Sequence, residues 1–262
     1  MQLIDIDAIL QQYNYQLPRW LIPSLRKLIH ENELNALLRE GENLSPKNFL
    51  RHTLHKLNIS YNLHGTLPSS SCPYLFAANH PFGGIDGIIL AEVLLHHYSD
   101  VGVIVNDMLM HISPLRPLWI PVNKYGVQPS WATRRYHQAF STPSKQILTF
   151  PAGVCSRWRD GRVSDLDWND RFVKDAMRYN RQIVPIFISG GLSSRFYLIY
   201  RLRKLLRVET NLELPLLVDE LFRQRGDTIN IYFGNPINIH QIEGDTITIC
   251  NAIRHEVESL AL

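Results

Sequence analysis

Apolar residues along this chain change their rhythm near residue 58. Over the first 57 residues they recur at helical spacing, with residues 17–39 the longest candidate helix and Ser45-Pro46 the predicted start of another. From Ile59 onward, short runs rich in β-branched and aromatic residues, at 74–78, 101–105, 118–122, 146–150, 183–188 and 228–233, alternate with amphipathic stretches of helix length. Buried strands alternating with helices predict an α/β fold. The expected architecture is a mixed, largely parallel central sheet flanked by helices, carried by residues 58–262 and preceded by a helical segment at 1–57.

Composition narrows the function. A chain of 262 residues with 45% hydrophobic content can bury a substantial core. Cys72, Cys155 and Cys250 are far apart and form no C-x-x-C pair, so neither a zinc site nor a disulfide framework is expected, and a reducing compartment is the simpler assumption. The start, Met1-Gln2-Leu3-Ile4-Asp5-Ile6-Asp7, lacks the features of a secretory signal, and no run reaches the ~18 apolar residues of a membrane span. A net charge of +3 does not argue for nucleic acid. His52, His55, His96, His97, His111 and His137 lack ligand spacing, so no metal is expected. No G-x-S-x-G elbow and no P-loop occurs, which removes direct support for serine hydrolases and nucleoside triphosphatases.

The candidate chemistry lies in Phe76-Ala77-Ala78-Asn79-His80-Pro81-Phe82-Gly83-Gly84-Ile85-Asp86-Gly87. Imidazole is the side chain best suited to accept a proton near neutral pH, and a carboxylate on its far nitrogen fixes the productive tautomer. Asp86 opens the apolar helix beginning Ile88-Ile89-Leu90-Ala91, where an N-terminal position favours its anion. Gly83 and Gly84 let the chain turn closely under a ligand. His80 and Phe150-Pro151-Ala152-Gly153 both follow predicted strands, so if those strands are neighbours the two loops line one crevice at the carboxyl end of the sheet.

These blocks carry a family resemblance. Asn79-His80-Pro81-Phe82-Gly83-Gly84-Ile85-Asp86-Gly87, Phe150-Pro151-Ala152-Gly153-Val154-Cys155-Ser156-Arg157 and Ile183-Val184-Pro185-Ile186 resemble the ordered blocks of the glycerolipid acyltransferase superfamily. Within it they are most similar to the hemolysin-like bacterial branch that includes the lyso-ornithine-lipid and lyso-glycine-lipid O-acyltransferases. The resemblance spans roughly residues 45–240. Two departures stand out. Five residues separate His80 from Asp86, one more than in the wider superfamily, and Ala152 stands where that superfamily carries a glutamate. The second departure argues against lysophosphatidic acid as acceptor.

The resemblance implies an O-acyltransferase in which His80, oriented by Asp86, is the general base on the hydroxyl of a lyso-aminolipid. The oxygen then attacks the thioester of an acyl carrier protein or coenzyme A conjugate, a co-substrate rather than a bound cofactor. The backbone at Gly83, Gly84 or Gly153 supplies candidate oxyanion donors or turns. Asn79, Ser156 and Arg157 are candidate binding residues for acceptor or donor; Asn123 and Lys124 occupy the place of the family's second block. Arg159 and Arg162 fit either an acidic headgroup or a solvated loop, and Asp165, Asp167 and Trp168 are read as capping the next helix. Nucleophilic catalysis by Cys155 is disfavoured because its neighbours Val154 and Ser156 offer it no base. A 1-acylglycerol-phosphate acyltransferase is the alternative enzyme, and a noncatalytic lipid-binding or hemolysin-like membrane protein the alternative class.

Residues 194–207 mix aromatic, aliphatic and cationic side chains without an acidic one. The pattern fits a helix lying on an anionic membrane surface, or a core-packed helix with a solvated basic face. Because the implied acceptor resides in a bilayer, peripheral binding at the cytoplasmic face of the bacterial inner membrane is expected.

Overall fold

The computed structural model describes residues 3–12, 17–123, 128–159, 161–207 and 213–260. The leading helices are α1 (Ile6–Gln12), α2 (Ile22–Leu28), α3 (Glu31–Glu40) and α4 (Pro46–Lys56). There follow β1 (Ser60–His64), β2 (Tyr74–Ala78), α5 (Gly84–His97), β3 (Val101–Asn106), β4 (Trp119–Val122), α6 (Ser130–Ser141) and β5 (Gln146–Thr149). A hairpin of β6 (Arg157–Arg159) and β7 (Arg162–Ser164) precedes α7 (Arg171–Arg178), β8 (Gln182–Ile188), α8 (Ser194–Leu205), α9 (Glu213–Arg223), β9 (Thr228–Phe233) and α10 (Thr246–Ser259).

The main sheet runs β1-β9-β8-β2-β5-β3-β4. Every pairing in it is parallel except β8 with β9, so β1 and β9 run against the other strands. The expected mixed, largely parallel sheet is therefore present. β2 lies at its centre, buried along its whole length and alternating between two cores. Phe76 and Ala78 join the core beneath α4 and α5, whereas Leu75 and Ala77 face the core built with Phe140, Val173 and Ile253. Leu38, Phe49, Leu50 and Leu54 from the helical segment at 1–57 pack into the first of these, so segment and sheet share one core.

The predicted helix over 17–39 is broken. A short 3-10 turn (Arg19–Leu21) leads into α2, and His30 adopts a left-handed φ of 50° before α3 starts. His30 is held there by contacts to Glu33 at 2.9 Å and to Asp219 on α9 at 3.1 Å, a partner that local periodicity cannot reveal. Ser45 does start a helix: its hydroxyl accepts the Asn48 N–H at 3.4 Å, and Pro46 occupies the first turn, where a missing N–H costs nothing.

Arg181, just before β8, is only 2% exposed. Its guanidinium donates to the carbonyls of Tyr74, Ala139, Phe140, Thr142 and Lys145, closing the C-terminal end of α6 against β2 and β5. Burial pulls its pKa down to about 10.

Candidate active site

The strands that carry the two key loops are direct neighbours, Leu75 pairing with Ile147 and Ala77 with Thr149 in parallel register. Their carboxyl ends therefore deliver His80 and Phe150 side by side. The two rings stack with centroids 4.1 Å apart. Beyond His80 the chain turns through Gly83, whose φ of 79° lies in the region that favours glycine, and enters α5.

Asp86 sits in the first turn of α5 and organises this bend. Its Oδ2 accepts the backbone N–H groups of Phe82 and Gly83, both at 3.0 Å, and lies 2.8 Å from Nδ1 of His80. The wider spacing between histidine and aspartate is thus accommodated by a turn that folds back onto the carboxylate. The ring meets Oδ2 close by but off its N–H axis, and Oδ1 has no hydrogen-bond partner among the described residues. Catalytic hydrogen bonds commonly align only once substrate binds. The Asp86 side chain is fully buried, while that of His80 is 17% exposed, so the imidazole reaches the surface and the carboxylate does not.

A second carboxylate holds the histidine from behind. Asp165 accepts the His80 backbone N–H at 3.2 Å, the Ser156 hydroxyl, and the Trp168 indole N–H at 2.9 Å. The Ser156 N–H in turn donates to the His80 carbonyl at 2.7 Å. Asp165 and Trp168 therefore join the His80 block to the Phe150–Arg157 block rather than cap α7, which begins after Asp170. Asp167 is almost fully exposed beside Arg254. Burial pushes the Asp165 carboxyl up from the ordinary range, against its three donors. Asp165→Asn has one acceptor oxygen where the carboxylate has two, so a donor is left facing an amide N–H. Turnover is expected to fall about 10- to 10²-fold with KM little changed, in steady-state kinetics; a fall in KM-dependent binding alone would contradict this positioning role.

Other predicted site residues take different places. The Asn79 amide is engaged with the Ile188 backbone, accepting its N–H at 2.7 Å and donating to its carbonyl at 2.9 Å, so it braces β2 against β8 rather than facing a ligand. Ser156 is buried and its hydroxyl is taken by Asp165, which leaves none for acceptor or donor. The N–H groups of Gly83, Gly84 and Gly153 are bonded to Asp86, the Phe82 carbonyl and the Phe150 carbonyl, so these glycines shape turns rather than present free oxyanion donors. The positive end of α5 remains beside the histidine. Asn123 follows β4, three strand spacings or about 14 Å across the sheet from β2, and its N–H donates to Gln128; the fold does not bring it against His80. Lys124 lies outside the described residues.

Arg157 is 5% exposed. Its Nη1 donates to the carbonyls of Cys155 and Ser156 and to the Cys155 sulfur, and its guanidinium lies over the rings of Phe196 at 5.2 Å and Tyr200 at 4.6 Å. Nε is buried without a partner, and no carboxylate pairs with this cation among the described residues. Arg159 is exposed on the hairpin, and Arg162 pairs with Glu258 at 3.5 Å. Burial pushes the Cys155 thiol up despite the adjacent arginine, the opposite of what a nucleophile needs. Cys155→Ala is therefore expected to retain turnover within a few-fold, and iodoacetamide to leave the folded wild-type protein active; rapid inactivation would reinstate the thiol.

This geometry, a histidine and buried aspartate at the centre of an α/β sheet, coincides with sequence relationship. The sequence model of a family described as Acyltransferase matches residues 10–260. The chain belongs to the acyltransferase family. A lyso-glycine lipid O-acyltransferase of Bacteroides thetaiotaomicron is 35% identical to this acyltransferase over 243 residues, covering 90% of this chain and 88% of the relative. One of the same name from Phocaeicola vulgatus is 34% identical, covering 90% and 86%. Among solved structures, the 1-acyl-sn-glycerophosphate acyltransferase PlsC of Thermotoga maritima aligns with a TM-score of 0.44 at 13% identity, over 92% of each chain. The family model and the two relatives extend the resemblance carried by the His80 and Phe150 blocks along almost the whole acyltransferase.

Proposed function

We propose that this acyltransferase moves an acyl chain from a thioester of acyl carrier protein or coenzyme A to the hydroxyl of a lyso-aminolipid, with a lyso-glycine lipid the favoured acceptor. The observation that carries the mechanism is the 2.8 Å approach of His80 Nδ1 to a fully buried Asp86. With Nδ1 facing the carboxylate, the outer nitrogen Nε2 takes the proton from the acceptor hydroxyl as its oxygen attacks the thioester carbonyl. Asp86 favours the imidazolium that forms, and the positive end of α5 favours the oxyanion. Collapse of the tetrahedral species expels the thiolate, which recovers the proton from His80. The new ester and free thiol leave, and the imidazole returns to its starting form.

The acceptor assignment is supported by the names of the two relatives and by Ala152 in place of a glutamate. Arg157, a cation without a carboxylate partner beside the catalytic loop, suits an acceptor whose headgroup ends in a carboxylate. Among the described residues no helix is long and apolar enough to cross a membrane. Peripheral attachment at the cytoplasmic face of the inner membrane is how such an enzyme would reach its acceptor.

Lipid mass spectrometry tests the reading, on cells expressing wild type or His80→Ala and supplied with lyso-glycine lipid, lyso-ornithine lipid or lysophosphatidic acid. A diacylated aminolipid made only by wild type supports the proposal and identifies the headgroup. Consumption of lysophosphatidic acid instead would favour a 1-acylglycerol-phosphate acyltransferase, and no His80-dependent product would favour a binding protein.

A further inference from the structure

Helix α8 is apolar on two sides. Its inward side is ordinary core: Phe196 is completely buried, and the hydroxyl of Tyr197 accepts the Leu192 N–H at 2.9 Å. Its outward side repeats leucine at positions 198, 202 and 205, which share one helical face, and Leu206 follows. These four side chains are 56%, 47%, 78% and 70% exposed. A helix on the surface of a soluble domain ordinarily turns polar residues outward, so a leucine row there signals a partner.

The charges around the row say which partner. Arg201, Lys204 and Arg207 are exposed between and beside the leucines, form no ion pair among the described residues, and share residues 194–207 with no acidic side chain. Long cationic side chains flanking inserted leucines are the arrangement that lets the apolar groups enter the acyl region while the charges remain among phosphates. Trp158, 43% exposed on the β6–β7 hairpin, adjoins the same helix, its ring 6.4 Å from that of Tyr197.

We propose that α8 is the face by which this acyltransferase docks on an anionic lipid surface, its leucines entering the leaflet and its basic residues engaging headgroups. The inference rests on the lysolipid reading above and adds where the bilayer lies. The same helix touches the catalytic loop from its other side, since Phe196 and Tyr200 flank Arg157. Docking through α8 therefore places the leaflet one helix diameter, roughly 10 Å, from the block that adjoins His80. An acidic carrier protein would also meet the basic residues, but charge recognition does not require a row of exposed leucines.

The test is sedimentation with vesicles of phosphatidylglycerol and phosphatidylcholine, against vesicles of phosphatidylcholine alone, using wild type and the double variant Leu202→Asp/Leu205→Asp. Both positions are exposed, so the variant is expected to melt with wild type by circular dichroism. Wild type is expected to sediment with the anionic vesicles, less with the neutral ones, and less again as salt screens the charges. The variant is expected to lose at least about tenfold in partitioning, and the same factor in turnover on acceptor held in vesicles, while turnover on acceptor in detergent micelles stays unchanged. Wild type remaining in the supernatant, or a variant that sediments like wild type, would overturn the proposal. So would a variant whose altered property is its KM for acyl carrier protein, or wild-type dimers that the variant abolishes. Sedimentation needs no turnover, so a wrong acceptor leaves this result standing, and a wrong docking face leaves the lipid products standing.

Discussion

His80→Ala is expected to lower turnover by about 10²- to 10⁴-fold while leaving the melting temperature close to that of wild type. The imidazole is a partly exposed ring at the end of β2, stacked on Phe150 and not part of either core, so its removal deletes a proton acceptor without opening the interior. Asp86→Asn is expected to produce a loss of similar order, because an amide cannot favour the imidazolium. Its effect on folding should be larger, since Oδ2 also holds the Phe82 and Gly83 N–H groups. Steady-state acyl transfer together with thermal melts distinguishes the two. Near-normal turnover in His80→Ala with an intact melt would remove general-base catalysis by this residue.

The second large effect concerns stability. Arg181→Met is expected to cost more than about 3 kcal/mol, because it leaves a cluster of buried carbonyls without donors while removing the group that satisfied them. The affected oxygens belong to Tyr74, Ala139, Phe140, Thr142 and Lys145, drawn from β2, the end of α6 and the approach to β5. Arg181→Lys should rescue only part of the loss: an ammonium has three donors at a point, where the guanidinium fork presents five in a plane. Urea unfolding monitored by tryptophan fluorescence measures both variants. A loss below about 1 kcal/mol in Arg181→Met would show that water or rearranged backbone replaces the fork.

What could be read from the chain and what could not follow from the range of the interactions. Tyr74–Ala78 announces itself because burial on both faces demands continuous apolar sequence, and Thr228–Phe233 because its buried positions alternate with less buried ones. β1 was not discernible, as Ser60–His64 is an exposed edge with mixed polarity, and β6 and β7 are too short to establish a period. The histidine and aspartate were legible because they lie in one turn. The second carboxylate was not: Asp165 is far from His80 in sequence, and a lone aspartate near a tryptophan carries no pattern. Arg181 is harder still, since its partners are backbone carbonyls that any residue supplies. The break at His30 depends on Asp219, and the side chains of Asn79 and Ser156 are engaged by partners in β8 and at Asp165, which local sequence does not announce.

The central placement of β2 and β5 has a further consequence. His80 and Phe150 hang from two hydrogen-bonded strands whose register is locked by cores on both faces, whereas the loops after β3 and β4 are anchored farther out. Residues at the rim can therefore change while the two central loops keep their dimensions. Such a scaffold leaves binding preference to loops that the central strands do not constrain.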